Sequence, residues 1–446
     1  MLALSSQIKE KSHEGDIPAL LSLHLFCLNH GVKDQSTLAI ILDITLHNLR
    51  PELHPRLDGV LQFPRASRAW LKSVAICLSA LVEGMDSFKT PPAKPFQKLT
   101  QHWLSHIWPC VSILTEWYIL DELQCPVSPH IHQETLNTTI SALFNHLSQP
   151  KIGILAQMRR TKGMPLCAIR LLVQALDWHP HPSSVYLENL TGYIHEEAHE
   201  NADGEMLKFV IAELENNTRF IPGLLGYLPR KTKEMNERAD DMLWVLTLAG
   251  TVFQGSTQLT RKVATKYPAL LNRLVKILHH FILVLSYRNQ MTDSQFKLKS
   301  LYLLTFLAGV ISEITVTGGS RAQRQVLKRG LLHAILKIES IGPMDDASQE
   351  IVRGFTFNLT AIAPALSHYS ILARVLYDLK KIKDQSLDDA LMSSTNSEVY
   401  SLQKEWSRFR DLAMARVPVM NEYNEFILRG APFCSAPTVR LNETIL

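Results

Sequence analysis

The chain has almost nothing that writes a β-sheet. Period-two alternation of apolar and polar residues is rare, and the best strand candidate, Ile314-Thr315-Val316-Thr317, stops at Gly318-Gly319 and reads more simply as the end of a helix. Phosphate-loop and serine-nucleophile signatures are absent: neither G-x-x-x-x-G-K-[ST] nor G-x-S-x-G occurs. The six cysteines, Cys27, Cys77, Cys110, Cys125, Cys167 and Cys434, are scattered without close pairs, which excludes a disulfide framework and fits a reducing compartment. On that expectation the sequons at Asn137, Asn189, Asn216, Asn358 and Asn442 stay unused. The N-terminus lacks a basic start followed by a long apolar block, so no secretory signal is expected. The richest apolar runs, Met242–Phe253, Phe281–Leu285 and Leu301–Ile311, fall short of the ~18–20 residues a membrane span needs. The formal net charge of +4 is too small over 446 residues to imply nucleic acid by itself.

What fills the chain is one amphipathic helical stretch after another, with 46% apolar and 20% charged residues, as a folded domain requires. Helices are predicted over residues 16–29, 34–49, 66–82, 96–123, 131–147, 165–176, 184–200, 205–216, 234–253, 268–286, 294–314, 321–338, 345–362, 367–379 and 397–416. Ser184, Ser294 and Ser320 stand where N-caps belong. Helix pairs recur at roughly 35–50 residues, the range of armadillo and HEAT units. The expected fold is therefore all-α, an armadillo/HEAT-like α-solenoid of degenerate helix pairs. Its expected parts are N-terminal repeats over residues 1–90, a central array over 96–395, a C-terminal capping helix over 396–430 and an irregular tail over 431–446.

One string carries catalytic meaning. His195-Glu196-Glu197-Ala198-His199 matches H-E-x-x-H, in which two imidazoles one helical turn apart grip Zn²⁺ and the first glutamate serves the bound water as general base. Against it, Leu187, Leu190, Ile194 and Ala198 form the apolar face, and at ~100° per residue His195 and His199 turn mostly away from it. A third ligand would have to come from Glu213 or Glu215. No metal or cofactor is expected, and the string reads first as a solvated helix face.

Arg321, Arg324 and Lys328 recur at i, i+3, i+7, with Arg329 and Lys337 nearby, and make a basic stripe. Arg159-Arg160 with Lys162, and Arg230-Lys231 with Lys233, add local charge. Trp103, Trp108 and Trp117 with Tyr118 make an aromatic-rich helix, read as core. His279-His280 and His179-Pro180-His181 sit at no ligand spacing. Val399, Leu402, Trp406, Phe409 and Ala413 form an apolar stripe on the last long helix, which should pack on the helices before it.

The stretch Glu405-Trp406-Ser407-Arg408-Phe409, continued by Ala413 and Arg416 behind several hundred residues of degenerate helices, resembles the region just before the zinc finger in fungal, basidiomycete-type MYND-finger proteins. That resemblance implies an armadillo-type helical body and a Cys/His finger used in protein contact. Here the finger is absent: no Cys or His follows Cys434, and one thiolate cannot build a four-ligand site. On that resemblance the chain is expected to be either a member without the finger or a shortened form of a longer product. The expected function is non-catalytic protein–protein interaction or scaffolding with a protein or peptide partner, in the cytoplasm or nucleus and away from membranes. The alternatives are a zinc-dependent hydrolase using His195, Glu196 and His199, and a nucleic-acid-binding helical repeat using the stripe from Arg321 to Arg329.

Overall fold

The structure is a computed structural model that describes residues 5–32, 34–54, 64–86, 93–119, 139–144, 158, 161, 163–177, 190–194, 205–229, 234–235, 239–287, 294–341 and 346–428. Among these residues every regular element is helical and no strand occurs. The chain divides into two compact units, residues 1–259 and 260–446.

In the first unit, α1 (Ser6–His13), α2 (Ile17–His30) and α3 (Gln35–Asn48) precede the long α4 (Pro64–Asp86). Carboxylates start two of them: Asp16 accepts from the Ala19 N–H at 3.1 Å and Asp34 from the Thr37 N–H at 2.8 Å, each satisfying a donor that has no partner inside the helix. The apolar faces of α2 and α3 bury Leu20, Leu23, Leu38, Ile41 and Leu42 against α4. Asn48 fastens α1 to α3, donating its buried amide to the carbonyls of Ser12 and Ile44, both at 2.9 Å.

Next comes α5 (Ala93–His102), which runs into a π-helical segment, Trp103–Ile107, then α6 (Trp108–Ile113) and a second π segment, Leu114–Ile119. Pro109 explains the first wide turn. It has no N–H to give the preceding turn, and its ring crowds the carbonyl four residues back, so the backbone opens. Trp103 is fully buried and donates its indole N–H to Thr161 Oγ1 at 3.1 Å, which places this aromatic in the core as expected. The side chains of Trp117 and Tyr118 lie outside the described residues. The unit continues with α7 (Met164–Asp177), packed on α8 (Glu205–Asn216) and α9 (Phe220–Tyr227), and with α10 (Ala239–Gly255), packed on α8.

The second unit takes over within α11 (Thr257–Lys266) and holds α12 (Pro268–Tyr287), α13 (Ser294–Thr317), α14 (Gly319–Lys328), α15 (Leu331–Leu336), a 3₁₀ turn (Lys337–Ile341), α16 (Asp346–Ile362), α17 (Tyr369–Asp384), α18 (Leu387–Ser393), α19 (Tyr400–Ala415) and α20 (Val417–Leu428). The contacts skip along the chain. Helix α16 packs against both α13 and α19, while α14 packs against α17. Small residues let α13 and α16 approach closely: a Cβ on Gly354 would stand 3.1 Å from that of Ala308. The buried Asn358 amide donates to the carbonyls of Gly354 at 2.9 Å and Ala308 at 3.4 Å across the same seam. The predicted stripe on the last long helix is in place, with Val399, Leu402, Trp406, Phe409 and Ala413 all fully buried.

Three expectations are corrected. The single helix predicted over residues 321–338 is two helices and a 3₁₀ turn, because Gly330 takes a left-handed φ of 85° that ends α14 and starts α15. Ser320 is not an N-cap. Helix α14 starts at Gly319, with Gly318 as its cap and no side-chain cap bond. Gly318 is required there by space, since a Cβ would fall 2.5 Å from that of Ala264 and 2.6 Å from the Ile314 carbonyl oxygen. Finally, among the described residues two helices are long and apolar enough to cross a membrane: Pro268–Ser286, 19 residues with mean hydropathy 1.4, and Leu298–Thr317, 20 residues with 1.6. Counting short apolar runs missed them because polar residues such as Asn272, Arg273, Lys276 and Thr305 interrupt a run without interrupting a helix. Half of the first and 61% of the second is buried inside the protein.

Candidate interaction surface

The H-E-x-x-H residues, His195, Glu196 and His199, lie outside the described residues, as do His179, His181, Arg159, Arg160, Lys162 and the Arg230-Lys231-Lys233 run. In the helical turn just before the string, residues 190–194, Leu190 and Ile194 of the expected apolar face are buried, and so are Thr191 and Tyr193. Glu215, one of the two carboxylates considered as a third ligand, has a structural partner. It accepts a short hydrogen bond from Ser256 Oγ, which itself accepts from the Leu259 N–H at 2.9 Å and so caps α11. Among the described residues no three His, Cys, Asp or Glu side chains converge as a metal would need.

The four described thiols, Cys27, Cys77, Cys110 and Cys167, are buried. Burial pushes Cys27 and Cys77 up to about 12, and Cys110 higher still. Cys110 sits 3.1 Å from His54 Nε2, yet a thiol held in its neutral form by burial is a packing group and not a nucleophile.

The basic stripe is where the sequence put it and faces outward. On α14, Arg321, Arg324 and Lys328 are exposed while Ala322, Gln323, Val326 and Leu327 are buried, so the charges share one side of an amphipathic helix. Arg329 follows, also exposed. None of these four cations makes an ion pair with a described residue.

At its C-terminal end the stripe meets groups from other elements. His279 of α12 places Nε2 3.2 Å from the Arg329 carbonyl oxygen. Burial holds His279 below the usual imidazole range, and the Arg329 carbonyl partly offsets that. His333 of α15 is lowered too, first by burial and then by the positive charge of His279, Lys337, Lys381 and Arg374 around it. On α17, Arg374 and Lys381 lie over the Tyr377 ring at 5.0 and 4.7 Å. Asp378 is fully buried beneath them and takes both ends of the Arg374 guanidinium, at 2.8 and 3.1 Å. Burial raises its carboxyl to about 6 despite that partner. Nothing in sequence spacing joins α17 to α14; their meeting is tertiary.

Helix α19, which packs on both α16 and α17, turns a second face outward. Tyr400, Lys404, Ser407 and Arg408 line a shallow open groove with Met392 of α18. Residues 403–410 of α19 have local roles here. Trp406 donates its indole N–H to Asp388 at 2.7 Å and stacks on Phe409, and Glu405 accepts from Thr360 at 3.2 Å. Arg410 pairs with the same Asp388 at 2.7 Å, and Gln403 donates to the Leu391 and Ser394 carbonyls, so α18 is pinned onto α19. No family model matches the chain, and no curated protein and no solved structure is significantly similar to it.

Proposed function

We propose that the protein is a non-catalytic interaction scaffold whose second unit stacks helix pairs in the manner of an armadillo-type solenoid. The observation that carries this is the skipped pattern of contacts, α13 on α16 on α19 with α14 on α17, which is what repeated helix pairs produce when each packs on the next. In such a stack the binding surface is the exposed side of successive helices, and no residue needs unusual chemistry. The buried shares of Pro268–Ser286 and Leu298–Thr317 favour core helices over membrane spans, in keeping with a protein that works in the cytoplasm or nucleus. Kinship with the helical region of MYND-finger proteins belongs to the same reading.

The direct test is cross-linking in cells, identification of the linked protein, and calorimetric titration of that purified protein into the purified chain. A one-to-one complex carried by surface residues of residues 260–446 is expected. A purified chain that holds one zinc per molecule, loses it on His195→Ala and hydrolyses peptides would overturn the scaffold reading in favour of the hydrolase.

A further inference from the structure

The charge of this chain is distributed unevenly. Residues 260–341 carry thirteen Lys and Arg against three Asp and Glu, a net of +10, so the remainder of the chain, whose total is +4, stands at −6. Crowding like charge into one stretch of 82 residues raises self-repulsion, and a partner of opposite sign relieves it. The side chains that gather are on elements in contact. Helices α14 and α15, the 3₁₀ turn and α17 pack together, and they with Arg329 carry nine Lys and Arg against three carboxylates, Glu339, Asp378 and Asp384. Of those three, Asp378 is buried and already bound to Arg374.

The geometry points to an acidic peptide segment of a partner protein as the ligand of this face, its Asp and Glu side chains at i, i+3 and i+7 meeting Lys328, Arg324 and Arg321. The inference rests on the interaction reading above and names the partner's chemistry. Arg321 and Lys328 are about 10 Å apart along the axis, at ~1.5 Å rise per residue, which is two turns of a docked helix. A nucleic acid fits less well. A duplex presents its phosphates along a track longer than the ~10 Å that this stripe spans. Single strands stack bases on open aromatic faces; of the two exposed rings on the adjoining helix, Tyr377 already has Arg374 and Lys381 over it and Tyr369 packs on Tyr423 at 5.3 Å.

Fluorescence anisotropy with the full chain tests this. The probes are a labelled Glu/Asp peptide with acids at helical spacing, a single-stranded oligonucleotide and a duplex, each at ~20 and ~150 mM salt. The peptide should bind more tightly than either oligonucleotide and weaken with salt. Combined Arg321→Glu, Arg324→Glu and Lys328→Glu should cut its affinity by about tenfold or more with the helical circular-dichroism signal unchanged, while Lys404→Glu with Arg408→Glu on α19 should change it less than about twofold. No peptide binding at low salt, tighter oligonucleotide binding, or equal loss in both variants overturns the proposal. A cross-linked partner that still binds the triple variant with unchanged affinity also overturns it, yet leaves the scaffold reading standing.

Discussion

Trp406 shows how much one side chain holds in this protein. Its ring is fully buried against Phe409, and its indole N–H is satisfied by Asp388 from α18. Trp406→Ala should cost about 3–5 kcal/mol through lost contact and the cavity left behind. Trp406→Phe keeps the ring stack, loses the hydrogen bond and should cost about 1–2 kcal/mol; urea unfolding of the two variants separates packing from hydrogen bonding. Asp378 gives a different kind of test. Its carboxyl is raised in the folded protein from 3.8 to about 6, so the stability it contributes is complete below 3.8 and is lost as pH rises through about 6. That interval corresponds to ~3 kcal/mol. Asp378→Asn should therefore flatten the decline in stability between about pH 4 and 6. Asp34 has the opposite sign. Hydrogen bonds from Ser36 and Thr37 hold it down to about 2, so its contribution is present above 3.8 and disappears only as pH falls through about 2.

At the scale of elements, two glycines of similar helical neighbourhood should respond in opposite directions. Gly330 sits at φ 85°, and an added Cβ would come within 3.2 Å of His279 Nε2, so Gly330→Ala should destabilise by about 1–2 kcal/mol. Gly226 in α9 has ordinary helical backbone and open space around it, so Gly226→Ala should stabilise by about 0.4–1 kcal/mol, read from the same denaturation curves. The helices legible in the sequence are those whose pattern is long and regular. The predicted range for α8 coincides with Glu205–Asn216, and the stripe of α19 is buried residue for residue. Short elements such as α9, α11 and α18 escaped because seven to ten residues give too few turns for a period to stand out. The break at Gly330 escaped because strong helix formers flank it on both sides. Of the candidate surface, the outward face of α14 was legible from i, i+3, i+7 spacing. The convergence of Arg374 and Lys381 on His333 was not, since it depends on which helices pack together.

For the whole molecule, two compact units imply two cooperative transitions. Calorimetry of the full chain should resolve them, and Trp406→Ala should lower only the one that belongs to residues 260–446. A single transition shifted as a whole by that substitution would show that the units unfold together. The wide turns of the segment from Ala93 to Ile119 have a further meaning for how the chain tolerates change in its length. A π turn encloses one more residue in each hydrogen-bonded ring than an α turn does. Removing one residue from Trp103–Ile107 can therefore be absorbed by the turn tightening into ordinary α-helix, with everything beyond it staying in register. The same deletion inside α13 would rotate all that follows by ~100° and turn a buried face to water. Evolution has room to edit the first helix and almost none to edit the second.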